Sequence, residues 1–228
     1  MNLAIIPARG GSKRIKNKNI KIFNGKPIIY YSILAAKSSG IFDQIIVSTD
    51  SLKIASISKK YGAEVPFFRS KKLSNDKVGV VEVIAHALKT LKIKPNFNTK
   101  VCCIYPTAPM LKKKFLKQGY KKLKKKYKYV LSVKKADSRV LRGFILDKKY
   151  IKPIQIKTKR TQSQNLKQVY LDSGQFCWGF ARSWLSKKGC HELKSTFIDI
   201  PEKYVQDIDS IEDWKEAIKK YKRIKKLK

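Results

Sequence analysis

Residues 3–19 read LAIIPARGGSKRIKNKN. Leu3–Ile6 is a short apolar run, stopped by Pro7, which passes directly into a loop with two adjacent glycines and a series of cations. Such a run bounded by turn residues reads as a strand buried on both faces. Open α/β sheets bind their ligands in the loops at strand C-termini. Gly10 and Gly11 let backbone N–H groups approach phosphate oxygens, as an anion nest does. Arg9, Lys13 and Lys18 add mobile cations. The loop is neither a P-loop nor a dinucleotide fingerprint, because both GxxxxGK[ST] and GxGxxG are missing.

Outward from this loop the chain alternates strands and helices. Pro27 suits the first turn of a helix continued by Ile28–Ala36 and ended by Gly40. Gln44–Thr49 is a β-branched strand, and Ser51–Tyr61 a helix stopped by Gly62. Glu64–Phe67 reads as a short third strand, Val80–Leu91 as a helix and Lys100–Tyr105 as a buried strand. Phe115–Lys126 follows as a lysine-rich helix and Tyr129–Val133 as a strand. This rhythm predicts an α/β fold, a mostly parallel sheet with helices on both faces. From Lys134 to Val169 the rhythm breaks into short alternating stretches, which read as an inserted hairpin or arm. Gln175–Phe180 and Ser195–Ile200 return to the sheet, and Ser210 caps a last helix. One domain over residues 1–228 is expected, with no repeat and no flexible linker.

The 228 residues are 43% hydrophobic, enough for a core, and carry a net charge of +37. Lysine supplies most of the basic residues and is spread along nearly the whole chain, whereas readers of nucleic acid favour arginine forks. A basic nucleic-acid-binding protein is the rival class, but the lysines are not localised and no specific nucleic-acid partner is expected. No apolar run approaches the ~18 residues of a membrane span, and no signal peptide is recognisable, so the expectation is a cytoplasmic protein without a membrane partner. Cys102, Cys103, Cys177 and Cys190 lack metal or framework spacing and read as reduced thiols.

The acids are more informative. Only 16 exist, and seven fall between Asp199 and Glu216. Asp207 and Asp209 are two apart, so in an extended segment they point the same way. The pair reads either as the acidic start of a helix or as oxygen ligands for magnesium bound with a nucleotide's phosphates. His86, inside an apolar helix, reads as a packed histidine. His191 has no zinc-type partners at the required spacing.

IPARGGSKRIKNKNI (6–20) resembles the opening of the cytidylyltransferases that activate nonulosonic sugars. STD (48–50), Arg69 with Ser74-Asn75-Asp76, YPTAP (105–109), DSGQFCWG (172–179) and DIDSIED (207–213) recur in the family's order. Within it, RTQSQ (160–164) and GQFCWG (174–179) are nearest the branch acting on pseudaminic acid. The resemblance implies a nucleotide-diphospho-sugar transferase, Rossmann-like fold, with CTP and an acidic nine-carbon sugar as substrates and Mg2+ as cofactor. It implies that Arg9, Gly10, Gly11, Ser12, Lys13, Lys18 and Asn19 hold the triphosphate. Arg69 and Asp76 fall in the cytosine-pocket segment, and Asp207 and Asp209 on the metal carboxylates. The 134–170 region falls where relatives build a dimer contact and complete the partner's sugar site, so a homodimer is expected. Tyr105 and Gln175 sit at sugar-contact positions, though Tyr105 replaces a common Gln. Asn165 stands where Asp is expected, and Val80 where the sialic acid branch has Ser. The sugar's carboxylate calls for an arginine clamp, for which Arg139, Arg142 and above all Arg160 are candidates. Lys18 and Asp209 are the expected catalytic groups. Sialic or legionaminic acid are the alternative substrates.

Overall fold

The computed structural model describes residues 1–156, 161–190 and 192–226. Among them lie ten strands: β1 (Asn2–Pro7), β2 (Ile22–Phe23), β3 (Lys26–Pro27), β4 (Gln44–Ser48), β5 (Lys100–Ile104), β6 (Tyr129–Ala136), β7 (Phe144–Asp147), β8 (Tyr150–Pro153), β9 (Val169–Phe180) and β10 (Ser195–Asp199). The helices are α1 (Ile28–Ser39), α2 (Leu52–Lys60), α3 (Val80–Thr90), α4 (Lys113–Lys122), α5 (Ala181–Leu185) and α6 (Ile211–Lys226). Six strands form the main sheet in the order β10-β6-β9-β5-β1-β4. β9 runs antiparallel to β5 and β6, while β1–β4, β1–β5 and β6–β10 pair in parallel. The sheet is therefore mixed.

The central strands β1 and β5 are buried on both faces, which is why they are almost wholly apolar. In β1, Ala4 and Ile6 face one core together with Cys102, Ile104 and Trp178, under α1, α2 and α4. Leu3 and Ile5 face the other with Val101, Cys103 and Trp184, under α3 and α5. The two adjacent cysteines thus split between two cores, and none of the four cysteines is in a disulfide. No helix among the described residues is long and apolar enough to cross a membrane.

Two expected elements differ. Glu64–Phe67 makes no strand: only isolated bridges, Ile46 to Glu64 and Thr49 to Phe68, tie it to β4. Pro66 offers no N–H to a ladder. α4 stops at Lys122 rather than Lys126, before the like-charged run Lys124-Lys125-Lys126. One element went unanticipated. Asn24 and Gly25, both at positive φ, close the small β2–β3 hairpin, and Asn-Gly between two short apolar stretches is its sequence signal.

That hairpin matters because Phe23 heads a third apolar cluster. Its ring meets Tyr31, Trp214 and Tyr221 edge-on at centroid distances of 5.5, 5.6 and 5.4 Å. Ile15 from the glycine loop and Ile208 from the acidic segment are buried in the same cluster. The two ends of the chain are thereby packed into one block.

β9 is bent where it passes this block. Leu131 pairs with Cys177 and Val133 with Asp172, so two steps along β6 answer to five along β9. Gly174, at φ +61°, makes the bend, and the Ser132 hydroxyl fills the gap by bonding to both N–H and C=O of Phe176 at 2.9 Å. Such a bulge re-aims neighbouring side chains. A Cβ on Gly174 would lie 3.7 Å from Asp207 Oδ1, so the bend abuts the acidic segment.

Candidate active site

The loop after β1 leaves the sheet where the Ala8 amide bonds to Ser48 O at 2.9 Å. The next turn is fixed by carboxylate and amide side chains. Gly10 N–H donates to Asp50 Oδ1 at 2.8 Å, and Asn19 Nδ2 donates to Arg9 O at 2.9 Å. Asp50 closes the STD stretch, and Asn19 is buried, so one anchors the start of the loop and the other ties its two ends. A Cβ on Gly10 would lie 3.1 Å from Ser51 Cβ, tighter than ordinary van der Waals contact. Neither Gly10 nor Gly11 has positive φ, and the Ser12 amide turns back to Gly10 O at 3.0 Å. The Gly10 and Ser12 amides are thus taken up within the protein. The positive face of the loop comes from side chains.

Arg9, Ser12, Lys13, Arg14, Lys18, Asn19, Arg69, Asp76 and Tyr105 line one cavity of about 570 Å³, with Val78, Val80 and Val83 as an apolar wall. That volume lies within the range of small-molecule sites. Arg69 is 5% exposed. Its Nε donates to Ser74 Oγ at 3.0 Å, and its amide to Thr49 O at 2.7 Å. Burial lowers its pKa and the nearby Asp50 opposes that shift. Asp76 bonds to Arg9, and to Lys13 at 2.6 Å. Hydrogen bonds from Lys13 and Arg9 pull its carboxyl down to about 2.

Lys18 links this cavity to the acidic segment. Its ammonium donates to Ile208 O at 2.7 Å and to Asp209 Oδ1 at 3.2 Å, and Arg14 Nη1 pairs with Asp209 Oδ2 at 3.0 Å. Ile208 is buried, Asp207 exposed and Asp209 half-exposed, as alternation in an extended segment requires. Asp213 faces the other way. It accepts from the amides of Asp209 and Ser210 at 3.1 and 2.8 Å, while its own amide donates to Ser210 Oγ at 3.1 Å. This is a capping box at the start of α6, and those bonds lower the Asp213 pKa.

The donor chemistry at Asp207 and Asp209 fits a hard divalent cation that keeps positions open for phosphate oxygens. Among the described residues no three His, Cys, Asp or Glu side chains gather into an all-protein metal site. The cation now beside Asp209 Oδ2 is the Arg14 guanidinium.

Tyr105 borders the main cavity and a second, small one that Asp172, Cys177 and Cys190 also line. Burial raises its phenol pKa, so it is neutral at working pH. Its backbone is clamped between Gln175 O and Ser32 Oγ, at 2.9 and 2.8 Å. Gln175 is buried; its Nε2 donates to Tyr204 O, and its Oε1 has no partner. Arg139 lines neither cavity and is bound to Asp137, with Nε 2.7 Å from Oδ2. Arg142 reaches Ser163 Oγ at 3.3 Å. Arg160 and His191 lie outside the described residues. His86 packs edge-on to Phe67 at 5.6 Å, as a packed histidine should. Sequence reasoning missed Arg14 as a partner of Asp209, and Asp50 as the anchor of Gly10. The STD stretch was a signal for Asp50; nothing local pointed to Arg14.

A mixed α/β sheet whose first strand feeds a cationic loop, with carboxylates brought alongside from the far end of the chain, is the layout of an enzyme that handles a nucleotide's phosphates. Residues 3–227 match the cytidylyltransferase family. The chain is 39% identical to the pseudaminic acid cytidylyltransferase of Campylobacter jejuni over 214 residues, 93% of this chain and 92% of that one. It is 38% identical to the CMP-N,N'-diacetyllegionaminic acid synthase of Legionella pneumophila over 131 residues, 58% of this chain and 56% of that one. Among solved structures, CMP:2-keto-3-deoxy-manno-octonic acid synthetase complexed with CTP matches with a TM-score of 0.72 at 10% identity, covering 97% of this chain and 98% of the other. The fold is that of the nucleotide-sugar transferases, and the chain belongs to the cytidylyltransferase family.

Proposed function

We propose that this enzyme joins CTP to pseudaminic acid, giving CMP-pseudaminic acid and pyrophosphate, a sugar donor for surface glycan or flagellin glycosylation. The observation that carries this reading is the Lys18–Asp209 contact, which sets the acidic segment at the edge of the loop-lined cavity. The choice of sugar is supported by the 39% identity to the Campylobacter jejuni enzyme along nearly the whole chain.

In this reading Arg9, Ser12, Lys13 and Lys18 hold the triphosphate, with Gly10, Gly11 and Asn19 shaping the loop. Arg69 and Asp76 border the cytosine end. The anomeric hydroxyl of the sugar attacks the α-phosphorus in line. The new P–O bond forms as the bond to the β-phosphate breaks, and pyrophosphate leaves. A water held by Asp209 would relay the hydroxyl proton to that carboxylate. Asp207 and Asp209 would hold magnesium together with the phosphates, and the ion would supply positive charge to the phosphoryl oxygens. Lys18 adds a fixed positive charge there, so catalysis is mainly positioning and electrostatics. Tyr105 borders the sugar, with Gln175 buried behind it. Arg139, which lines neither of this chain's cavities, and Arg160 are the arm arginines proposed for the carboxylate in the partner's sugar site.

The enzyme works as a homodimer in this reading, in the cytoplasm where CTP is made. The β7–β8 hairpin supports the dimer: Phe144, Ile145, Leu146, Tyr150 and Ile151 are all exposed on it. A two-stranded hairpin alone is marginal in water, and exposed apolar patches of this kind mark association surfaces. The test is pyrophosphate release from CTP with a panel of nonulosonic acids. Pseudaminic acid should give the highest kcat/KM. Preference for sialic or legionaminic acid would move the substrate, and release with none of them would overturn the activity.

A further inference from the structure

Asp209 is held by two cations, and they are not equivalent. Lys18 is 22% exposed and is also tied to Ile208 O at 2.7 Å, so the backbone fixes it. Arg14 is 70% exposed and pairs with the other oxygen, Oδ2, at 3.0 Å. Exposed ion pairs of this kind are weak and open readily. The next residue, Ile15, is buried in the Phe23 cluster, which pins the loop backbone and leaves the Arg14 side chain to move. Arg14 also lines the cavity with Arg9 and Lys13, so it stands within the loop that faces the phosphates.

A divalent cation of magnesium's size needs a carboxylate oxygen at about 2.0–2.1 Å. A guanidinium on that oxygen competes for its lone pairs and places a second positive charge beside the ion. We propose that Arg14 is a displaceable stand-in cation. It neutralises Asp209 while the site holds no nucleotide and yields the carboxylate when the metal arrives with CTP. Its guanidinium then turns to the phosphates. Arg14 is in this sense a positioning residue: it keeps free metal off Asp209 and favours metal that arrives bound to a triphosphate. The inference rests on the reading of Asp207 and Asp209 as the metal pair.

The test is Mn2+ binding to the nucleotide-free full chain, followed by electron paramagnetic resonance, in wild type, Arg14→Gln, Arg14→Lys and Asp209→Asn. Arg14→Gln should bind free Mn2+ about three- to tenfold more tightly than wild type, the range set by losing a weak ion pair and a nearby like charge. Arg14→Lys should restore weak binding. KM for CTP should rise in Arg14→Gln more than kcat falls, because a phosphate contact is lost with the lock. Unchanged or weaker Mn2+ binding in Arg14→Gln, with Asp209→Asn still losing affinity, would overturn the stand-in role and leave the metal pair intact. Unchanged binding in Asp209→Asn would instead overturn the metal reading, and the role of Arg14 with it.

Discussion

Asp76 lies between the two cations at the head of the glycine loop, bonded to Arg9 on one oxygen and to Lys13, at 2.6 Å, on the other. In the proposed reading the two residues flanking it are those that hold the phosphates, so an incoming triphosphate would have to draw Arg9 and Lys13 away from a carboxylate already in place. The carboxyl is held at about 2 by hydrogen bonds from Lys13 and Arg9. Its folded pKa is depressed, so the pairing is present above its ordinary range and is lost only as pH falls toward 2. Asp76 therefore adds no pH dependence to ligand binding between pH 5 and 8. Asp76→Asn should bind inorganic tripolyphosphate, which has no base, about two- to tenfold more tightly by calorimetry. Weaker binding would mean that Asp76 supports the ligand instead of competing with it.

Lys18 is the fixed cation of the site. Lys18→Ala should lower kcat by roughly ten- to a thousandfold, the cost of losing one charge stabiliser. The melting temperature should fall only slightly, since the loop keeps Ile15 in its cluster and Asn19 on Arg9 O. Normal turnover would remove Lys18 from the mechanism.

Asp209 and Asp213 are four residues apart and do different work. Asp209→Asn should cut activity severely, with partial recovery at raised magnesium. Asp213→Asn should leave kcat near wild type and weaken the start of α6. Ser210→Ala, which removes the other half of the capping box, should cost about 1 kcal/mol. The Asp213 pKa is lowered in the fold, so its stabilising effect is present above the ordinary carboxylate range and is lost as pH falls below it. The difference in melting temperature between wild type and Asp213→Asn should therefore shrink from pH 6 to pH 3. A crippled Asp213→Asn beside a healthy Asp209→Asn would reverse the two roles.

The hairpin gives a test of association. Leu146→Glu and Ile151→Glu put charges on an apolar, exposed surface. In a monomer they change stability little; across an interface a buried unpaired charge is costly. Light scattering should report a dimer for wild type and a monomer for the double variant. A monomeric wild type would end the dimer proposal.

Phe23 joins the two ends of the chain. Phe23→Ala should destabilise by about 3–5 kcal/mol, the usual cost of removing a buried aromatic ring. The surviving folded protein should also show a raised KM for CTP, because Ile15 and Ile208 lose their common support. A stability loss with unchanged KM would separate the cluster from the site.

Much of this was legible in sequence because it is local. The apolar run Leu3–Ile6 before a glycine loop gave the first strand and the ligand-facing turn. Gly40 ends α1 at positive φ, as expected. Ser210 caps α6, as expected. Failures were also local in cause: Pro66 denied Glu64–Phe67 a ladder, and the antiparallel course of β9 was not legible because its apolar run reads the same in either direction.

The sequence by itself determined which residue types this protein has for its chemistry: a loop of glycines and cations after a buried strand, and a late pair of alternating carboxylates. Only the tertiary structure decided which of them meet. Lys18 and Asp209 stand 191 residues apart and are joined because Ile15 and Ile208 sink into the cluster around Phe23. Asp76 reaches Arg9 across 67 residues because the chain leading to it is bridged to Ile46 and Thr49 at Glu64 and Phe68 and then lines the cavity. Periodicity and turn chemistry act over a few residues and fix the elements. Long-range pairing depends on how apolar faces pack together, which leaves no local mark on the residues that it brings into contact.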